Sequence, residues 1–290
     1  MKIIIQSYST TGVRESNEDT MDLINNLDNS ITGYIPVLYS GVFDGHGGGD
    51  ISKILVEKDK INISKYFCSI ASPIAIKLSS SKTFNSKMIV PLFTRIQEKL
   101  KNYYIHSNTM GSTALISIIY KKSLEKYALK VINLGDSRAI SSNEYNIAIP
   151  LTLDHKPHLY CEKNRIIQMG GSLEYSEGDD PRISGMSVSR SFGDLDNQFI
   201  SQIPDVFDYT LNSEKFIVMG CDGVWDVLQN QDVVDYILEK YQELKASKEL
   251  SNLKGKSEYN LAQKLADYAI HKGSKDNISV TIIFFIDNMN

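Results

Sequence analysis

The chain has 290 residues, of which 42% are hydrophobic and 23% charged, ordinary values for a folded globular protein that exclude wholesale disorder. Its 31 basic and 35 acidic residues give a net charge of −4, which argues against non-specific binding to nucleic acid or to a membrane surface. No internal repeat or clear linker divides the chain, so we expect one domain over residues 1–290.

The cysteine content and the N-terminus bear on the compartment. Three widely spaced cysteines, Cys68, Cys161 and Cys221, favour a reducing environment over a disulfide scaffold. The first residues become polar at Gln6, too soon for a signal peptide, and no run of about twenty apolar residues follows. We therefore expect a soluble protein of the cytoplasm or nucleus.

Short β-branched and aromatic segments between turn residues predict strands. In chain order they are Lys2–Tyr8, Tyr34–Phe43, Ala114–Tyr120, Tyr127–Leu134, Phe216–Gly220 and Ile278–Ile286. The third and fourth segments, joined by the polar residues Lys121–Lys126, form a predicted hairpin.

Apolar residues at helical spacing predict three helices. They run from Ile89 to Tyr103 with Pro91 in the first turn, from Val233 to Tyr241 behind an Asn230 cap, and from Leu261 to Ala269 before Gly273. Strands and helices do not alternate one for one, which favours an α+β fold of antiparallel sheets flanked by helices.

Three segments show no clear period and remain unassigned or irregular. Lys58–Lys87 is rich in Ser, Lys and Asn and has no assigned structure. Glu174–Arg182 is acidic and contains Gly and Pro, so it is predicted to be an exposed loop. Gln242–Ser257 is charged and is predicted to be a mobile insertion.

Four aspartates lie at the ends of apolar strands, three of them in glycine turns. They are Asp44, Asp136, Asp222 and Asp276. One Asp-Gly pair is usually only a turn. Four buried carboxylates without partners, however, would be costly, and a divalent cation with oxygen ligands would remove that cost. The pattern therefore predicts a metal site where these strands end.

The segment Arg14-Glu15-Ser16-Asn17-Glu18-Asp19 follows the first strand. Taken alone it reads as a charged surface turn. Its position allows Glu18 and Asp19 to join the acidic cluster. Arg14 would point to the same place, where its planar guanidinium suits the oxygens of a phosphate.

With these motifs in their order, the chain resembles the metal-dependent serine/threonine protein phosphatases of type 2C along nearly its whole length. The matching elements are Arg14, Glu18 and Asp19, then Asp44–Gly48, Gly111–Ala114, Gly135–Arg138, Thr152–Pro157, Glu162 with Arg165-Ile166, Gly170-Gly171, Ser189–Asp194, Asp222–Asp226 and Asp276-Asn277. Each element is weak alone, but the ordered set is specific.

The resemblance implies a β-sandwich of two antiparallel sheets flanked by α-helices, a four-layer α/β/β/α arrangement. It also implies two Mn²⁺ or Mg²⁺ ions, with a weaker third in some relatives. The implied metal residues are Asp44 bridging both ions, Asp222 and Asp276 on the first, Glu18 and the Gly45 carbonyl on the second, Asp19 holding metal-bound water, and Asp136 and Asp226 on the third.

The expected reaction is hydrolysis of phosphoserine and phosphothreonine in proteins. Two close cations would lower the pKa of a shared water, and the resulting hydroxide would attack phosphorus in line, without a phosphoenzyme. Arg14 would orient the phosphate, and His46, beside a predicted ligand, would protonate the departing oxygen. The expected partners are phosphoprotein substrates, with no nucleic acid and no membrane, and the expected state is a monomer.

Two other functions stay open on the sequence: a catalytically silent relative that acts as a binding module, and a phosphatase of small phosphate esters. Outside the predicted site, Asp154 and Asp194 are interpreted as structural turn residues and Trp225 as core packing. Cys221 is interpreted as a buried, inert thiol. Arg182 and Arg190 carry the hypothesis of a role in phosphate approach, and His155 that of a hydrogen bond within a turn.

Overall fold

A computed structural model of the protein describes residues 2–25, 36–70, 86–121, 127–247 and 259–289. Its strands are β1 Ile3–Thr10, β2 Thr20–Asn25, β3 Pro36–Phe43, β4 Gly45–His46, β5 Gly111–Ser112, β6 Ala114–Lys121, β7 Tyr127–Leu134, β8 Arg138–Ser142, β9 Ala148–Pro150, β10 Phe192–Gly193, β11 Asp205–Leu211, β12 Phe216–Gly220 and β13 Ile278–Phe285. Its α-helices are α1 Asp50–Val56, α2 Ile63–Ile70, α3 Ser86–Tyr103, α4 Tyr160–Gln168, α5 Asp222–Trp225, α6 Asn230–Ala246 and α7 Leu261–His271.

The strands form two large sheets and one small one. The first large sheet has the order β1-β13-β12-β8-β9 and the second the order β11-β7-β6-β3-β2. The small sheet, β10-β5-β4, lies beside them. Neighbouring strands pair antiparallel throughout, including the predicted hairpin β6–β7, whose turn, residues 122–126, lies outside the described residues. The predicted antiparallel sheets are confirmed.

Alternation along β12 shows how the first sheet is packed. Phe216 and Val218 contact helices α6 and α7, whereas Ile217 and Met219 face the second sheet. Successive side chains of a strand point to opposite faces, so a strand that is apolar at every position needs a partner layer on both sides. β12 is buried along its whole length for that reason.

The second sheet is packed in the same way. On β6, Ile116 and Ile118 contact the apolar faces of α1, α2 and α3, while Leu115 and Ile119 face the first sheet. The layers therefore run helix, sheet, sheet, helix. This confirms the predicted four-layer α+β sandwich.

Three details differ from the sequence-based expectations. Helix α2 forms within the unassigned segment. Helix α6 continues to Ala246, into the predicted mobile insertion, because Tyr241 and Leu244 extend its buried face; residues 248–258 lie outside the described ranges. The cap of α6 is Gln229, which forms a capping box with Asp232, and not Asn230, which is the first helical residue.

Among the helices of the described ranges, none combines the length and the apolar character needed to cross a membrane.

The predicted loop Glu174–Arg182 is largely exposed, as expected, and the backbones of Glu174 and Arg182 pair with each other at its base.

The order of the strands brings the predicted site to one end of the sandwich. Asp44 follows β3, Asp136 follows β7 and Asp222 follows β12, while Asp276 precedes β13. Because β13 runs antiparallel to β12, its beginning lies next to the end of β12. The loop after β1 arrives at the same end, since β1 also pairs antiparallel with β13.

Candidate active site

A cavity of about 700 Å³ opens where these strands end. Every predicted metal or catalytic residue except Asp19 lines it: Arg14, Glu18, Asp44, Gly45, His46, Asp136, Asp222, Asp226 and Asp276. The fold thus brings together residues from five separate parts of the chain. The role of each one stays a prediction.

Asp44 is held by backbone contacts to a neighbouring turn. Its N–H donates to Thr113 Oγ1 at 3.1 Å and its carbonyl accepts from the Thr113 N–H at 2.8 Å. The Thr113 hydroxyl lies 3.0 Å from that of Ser137, just before β8. Burial, followed by the charges of Asp222 and Asp19, raises the pKa of the Asp44 carboxyl well above its usual range. Thr113 belongs to the matching element Gly111–Ala114, but its contacts to Asp44 could not be read from the sequence.

Asp19 lies behind Asp44 and is 8% exposed. Neither of its carboxylate oxygens has a hydrogen-bond partner in the described part of the chain. Burial raises its pKa to about 6. An oxygen atom of Asp19, one of Asp44 and the Cys221 sulfur lie within 4.8 Å of one another. Unpaired buried carboxylates of this kind fit a nearby divalent cation, either as ligands or through its water.

The thiol of Cys221 does not change the oxygen character of this cluster. Burial, followed by the charges of Asp19 and Asp44, raises its pKa well above the usual range, so the sulfur stays protonated. It lies 3.3 Å from the Asn277 carbonyl oxygen, to which it can donate. The prediction of a buried, inert thiol is consistent with this environment, and the donors left to a cation are oxygens, which suit Mg²⁺ or Mn²⁺.

Asp136, which is buried, and Asp222, which is partly exposed, add two more acids. Burial raises the pKa of Asp136 to about 6 although the charge of Lys156 opposes the shift. Burial also raises the pKa of Asp222, and the charges of Asp136 and Asp226 add to it. Each acid makes ionisation of its neighbours less favourable, and a cation among them would relieve this repulsion.

Asp226 has a partner that the sequence did not reveal. Lys156 Nζ lies 3.0 Å from Asp226 Oδ1 and 3.0 Å from Asp180 Oδ2, which belongs to the exposed loop. The Lys156 side chain is only 15% exposed, so this ammonium is held in place. It partly neutralises the pair Asp136 and Asp226 that the resemblance assigns to a weaker third ion.

Glu18 is positioned by Asn277, which follows Asp276. The Glu18 N–H donates to Asn277 Oδ1 at 2.9 Å, and the Gly48 N–H donates to Glu18 Oε2 at 3.1 Å. A Cβ at Gly45 would lie 2.4 Å from the Glu18 carbonyl oxygen, so only glycine allows this approach. Local packing therefore brings the backbones of Glu18 and Gly45 together.

Arg14 lies at the exposed mouth of the cavity. Its Nη2 is 2.7 Å from Asp276 Oδ2, and its Nε donates to the Lys275 carbonyl at 2.8 Å. The guanidinium is thus held beside one of the predicted metal ligands.

His46 lies next to Asp194, and this pair was missed. His46 Nε2 is 2.7 Å from Asp194 Oδ2, and the same oxygen accepts from the Ser191 hydroxyl. Burial disfavours protonation of His46, but the hydrogen bond to Asp194 and its charge outweigh burial and raise the pKa. Asp194 is therefore more than the structural turn residue expected.

The His46–Asp194 pair depends on Gly111. A Cβ there would lie 2.1 Å from Asp194 Oδ2 and 2.4 Å from His46 Nε2. Asp194 itself has a φ of 51°, which non-glycine residues rarely adopt. A strained backbone at a functional position is held by its surroundings, here by the contacts to Ser191 and His46.

The other residues singled out from the sequence are mostly structural. Arg190 is paired with Glu162 and Asp205 and is 14% exposed. It does not line the cavity, which speaks against the hypothesis of a role in phosphate approach. Arg182 lines the cavity and pairs with Asp179. The His155 ring accepts from the Gly135 N–H at 3.0 Å, a hydrogen bond to a loop 20 residues away and not within its own turn.

Comparison with known proteins gives a consistent result. The family profile described as Protein phosphatase 2C matches residues 5–278. A PP2C-like domain-containing protein of Acanthamoeba polyphaga mimivirus is 43% identical over 171 residues, which cover 54% of this chain and 94% of that protein. Probable protein phosphatase 2C 44 of Oryza sativa subsp. japonica is 31% identical over 259 residues, covering 84% of this chain and 67% of that protein.

A human relative and a solved structure extend the comparison. Protein phosphatase 1B of Homo sapiens is 30% identical over 266 residues, covering 85% of this chain and 50% of that protein. The crystal structure of a phosphatase from a pathogenic strain of Toxoplasma gondii superposes with a TM-score of 0.73 at 22% identity, covering 98% of this chain and 96% of the other. The similarity to the Toxoplasma gondii structure concerns the fold alone.

Proposed function

Since the chain belongs to the protein phosphatase 2C family, we propose that it hydrolyses phosphoserine and phosphothreonine in proteins with the help of divalent cations. The observation that carries this proposal is the cavity itself, which gathers the predicted acids together with Arg14 and His46. A relative that had become a binding module would be expected to lack some of these residues.

The acids of the cavity, together with Asp19, fit a site for two Mg²⁺ or Mn²⁺ ions. Asp44, Asp222, Asp276, Glu18 and the Gly45 carbonyl would hold them, and Asp19 would act through water. When bound, the ions would supply an acidified water that attacks phosphorus in line, without a phosphoenzyme. A weaker third ion at Asp136 and Asp226 would have to share Asp226 with Lys156.

Two residues of the chain would act on the phosphate group. Arg14 is at the mouth of the cavity and would pair with the phosphate oxygens in place of Asp276, offsetting the charge that builds up on them. His46 would donate its proton to the departing serine or threonine oxygen. Its hydrogen bond to Asp194 keeps the ring oriented and favours the protonated form that a general acid needs.

The wider expectations belong to the same proposal. Phosphoprotein substrates follow from the family. A single domain over residues 1–290, a monomeric state, the absence of nucleic-acid and membrane partners, and residence in the cytoplasm or nucleus stay predictions. Small phosphate esters are the alternative substrates, because the acidic cluster alone does not discriminate between them and a phosphoprotein.

The proposal is tested by hydrolysis of an aryl phosphate with Mn²⁺, with and without a chelator. We expect turnover that needs the cation and is abolished by Asp222→Ala, because that change removes a predicted ligand. Asp267→Ala, an exposed aspartate on α7, is the matched control and should retain turnover. A folded wild-type protein without turnover would favour the binding module, and an active Asp222→Ala variant would show that the ligand assignment is wrong.

A further inference from the structure

A second groove adjoins the cavity, and His46 does not line it. It has a volume of about 440 Å³, within the range of about 300–1,000 Å³ common for ligand pockets. Lys156, Asp180 and Asp226 line both the groove and the cavity, so the two are continuous. Of the residues that line the groove, only Asp226 has a part in the proposed chemistry.

The floor of the groove is rigid. Arg138 donates to both carboxylate oxygens of Asp154, at 3.0 and 2.6 Å, and to Asn230 Oδ1 at 2.8 Å. Its guanidinium also stacks over the Trp225 ring, 5.2 Å from the centroid. Trp225 is fixed in turn by donating from Nε1 to the Gly220 carbonyl at 2.9 Å. Such a floor needs no reorganisation to receive a ligand.

The two basic side chains that line the groove already form ion pairs with acidic residues of the same groove. Arg138 is paired with Asp154, and Lys156 is paired with Asp180 and Asp226. An anionic group would have to break these pairs to bind there. The groove is therefore not a second phosphate site.

The wall of the groove, in contrast, is apolar and open. Leu153 is 63% exposed and Leu159 39% exposed, and both line it together with Pro150. Single exposed apolar residues are common, but two leucines around one pocket mark a surface that can cover an apolar group. His158 lines the groove beside these leucines.

The distance from the acidic cluster suits a polypeptide. Asp222 and Asp226 are four residues apart on α5 and its C-terminal cap, about 6 Å along the helix axis. An extended chain advances about 3.3 Å per residue. With its phosphate over the acids, a bound peptide would therefore reach the edge of the groove at Asp226 after about two residues, and a side chain two or three residues from the phosphorylated one would be the one to enter it.

We propose that this groove binds an apolar side chain of the substrate polypeptide, two or three residues from the phosphoserine or phosphothreonine. The inference rests on the phosphatase activity proposed above and deepens it, because such a groove selects phosphoproteins over small phosphate esters. Leu153 and Leu159 would be its specificity-determining residues.

The test uses phosphothreonine peptides of one Ala-rich sequence in which a single leucine is moved from three residues before to three residues after the phosphothreonine. Phosphate release gives kcat/KM for each peptide, and an aryl phosphate is assayed beside them. We expect one position, two or three residues away, to raise kcat/KM about tenfold over the peptide without leucine, the scale of one apolar contact in a pocket. No positional preference would overturn the proposal.

Variants then locate the preference. Leu153→Ser and Leu159→Ser should each lower kcat/KM for the preferred peptide at least fivefold more than for the aryl phosphate, mainly through KM. Leu23→Ser, which replaces a leucine exposed by 42% on β2, should keep the preference. If the preference survives both groove variants, the groove is not its source. If the wild-type protein hydrolyses no phosphate ester at all, the proposed function itself is wrong.

Discussion

Asp194 orients His46, and its charge should matter more for some substrates than for others. Asp194→Asn keeps the shape of the side chain but removes the negative charge that favours a protonated imidazole. A poor alkoxide leaving group needs that proton, whereas an aryloxide leaves without it. We expect kcat to fall about tenfold to hundredfold on a phosphothreonine peptide and clearly less on p-nitrophenyl phosphate.

The control for this variant is Asp196→Asn, which changes an exposed aspartate two residues further along. It should affect neither substrate. A merely structural role of Asp194 would reduce both rates in proportion, so equal losses on the two substrates would contradict the positioning role.

Residues next to one another in the sequence could be assigned from the sequence, whereas pairs formed across the fold could not. Asp44, Gly45 and His46 share one motif, and their chemistry is readable there. The partner of His46 is 148 residues away, and the partner of Lys156 at the cavity is 70 residues away. Neither periodicity nor composition predicts a contact between residues so far apart in the sequence, because the contact forms only when the two sheets pack together.

At the scale of an element, helix α4 holds the segment that carries Asp194. Glu162, which is 3% exposed, accepts from Arg165, Ser189 and Arg190. Arg165 donates onward to the Phe199 carbonyl and Arg190 to the Ile203 carbonyl. One buried carboxylate thus ties the helix to both ends of this segment.

The charge of Glu162 should contribute measurably to stability. Burial opposes its ionisation, but the hydrogen bonds and charge of Arg190 and the contacts of Arg165 and Ser189 outweigh burial and lower its pKa from 4.5 to about 2. The stabilisation is therefore complete above pH 4.5 and is lost as the pH falls towards 2. We expect Glu162→Gln to lower the free energy of unfolding by about 3 kcal/mol at pH 7, measured in urea.

The pH dependence separates this charge effect from a loss of packing. The difference between wild type and Glu162→Gln should shrink between pH 5 and pH 3, because Glu162 of the unfolded wild-type chain binds a proton in this range while Glu162 of the folded protein stays ionised. Glu98→Gln, on the exposed face of α3, should cost less than about 0.5 kcal/mol. A difference at pH 3 as large as that at pH 7 would mean that the charge of Glu162 is not responsible.

The long helices and most of the long strands were predicted, whereas the short elements of both kinds were missed, for a physical reason. The apolar stripes of α3, α6 and α7 repeat over many residues, so their period is clear. The strands β8 and β9 have only five and three residues, too few to show a regular alternation of apolar and polar side chains. Their position is set by contacts with β12 and the neighbouring helix. The end of α6 was also missed, because charged residues after Tyr241 hide the single apolar residue, Leu244, that continues its buried face.

At the scale of the whole molecule, the order of the strands within the sheets was not readable. The first sheet pairs β1 with β13, strands from opposite ends of the chain, and this pairing brings Asp276 and Asn277 to the loop that carries Glu18. Antiparallel packing was predictable from the succession of elements. The particular neighbours of each strand follow from the packing on both of its faces. The resemblance to a family implied that the two sheets are packed together, whereas the periodicity did not.

The acidic cluster links cation binding to the stability of the entire fold. Asp19 and Asp136 have pKa values of about 6 in the folded protein, raised from 3.8 by burial. For acids with raised pKa values the folded state binds more protons, so this contribution to stability decreases as the pH rises from about 4 through 6. A cation that replaces those protons removes the repulsion, and it should therefore stabilise the protein more at pH 7.5 than at pH 5.

Thermal unfolding measures this dependence directly. At a hundredfold excess over its Kd, one cation adds about 2.7 kcal/mol, which for a chain of this size raises Tm by roughly 5 °C. We expect Mn²⁺ to raise Tm by at least this amount over the EDTA-treated protein at pH 7.5, and by less than half as much at pH 5. Asp222→Ala should lose most of the increase, whereas Asp267→Ala should keep it. An increase that is the same at both pH values would show that the cation binds somewhere other than among these buried acids.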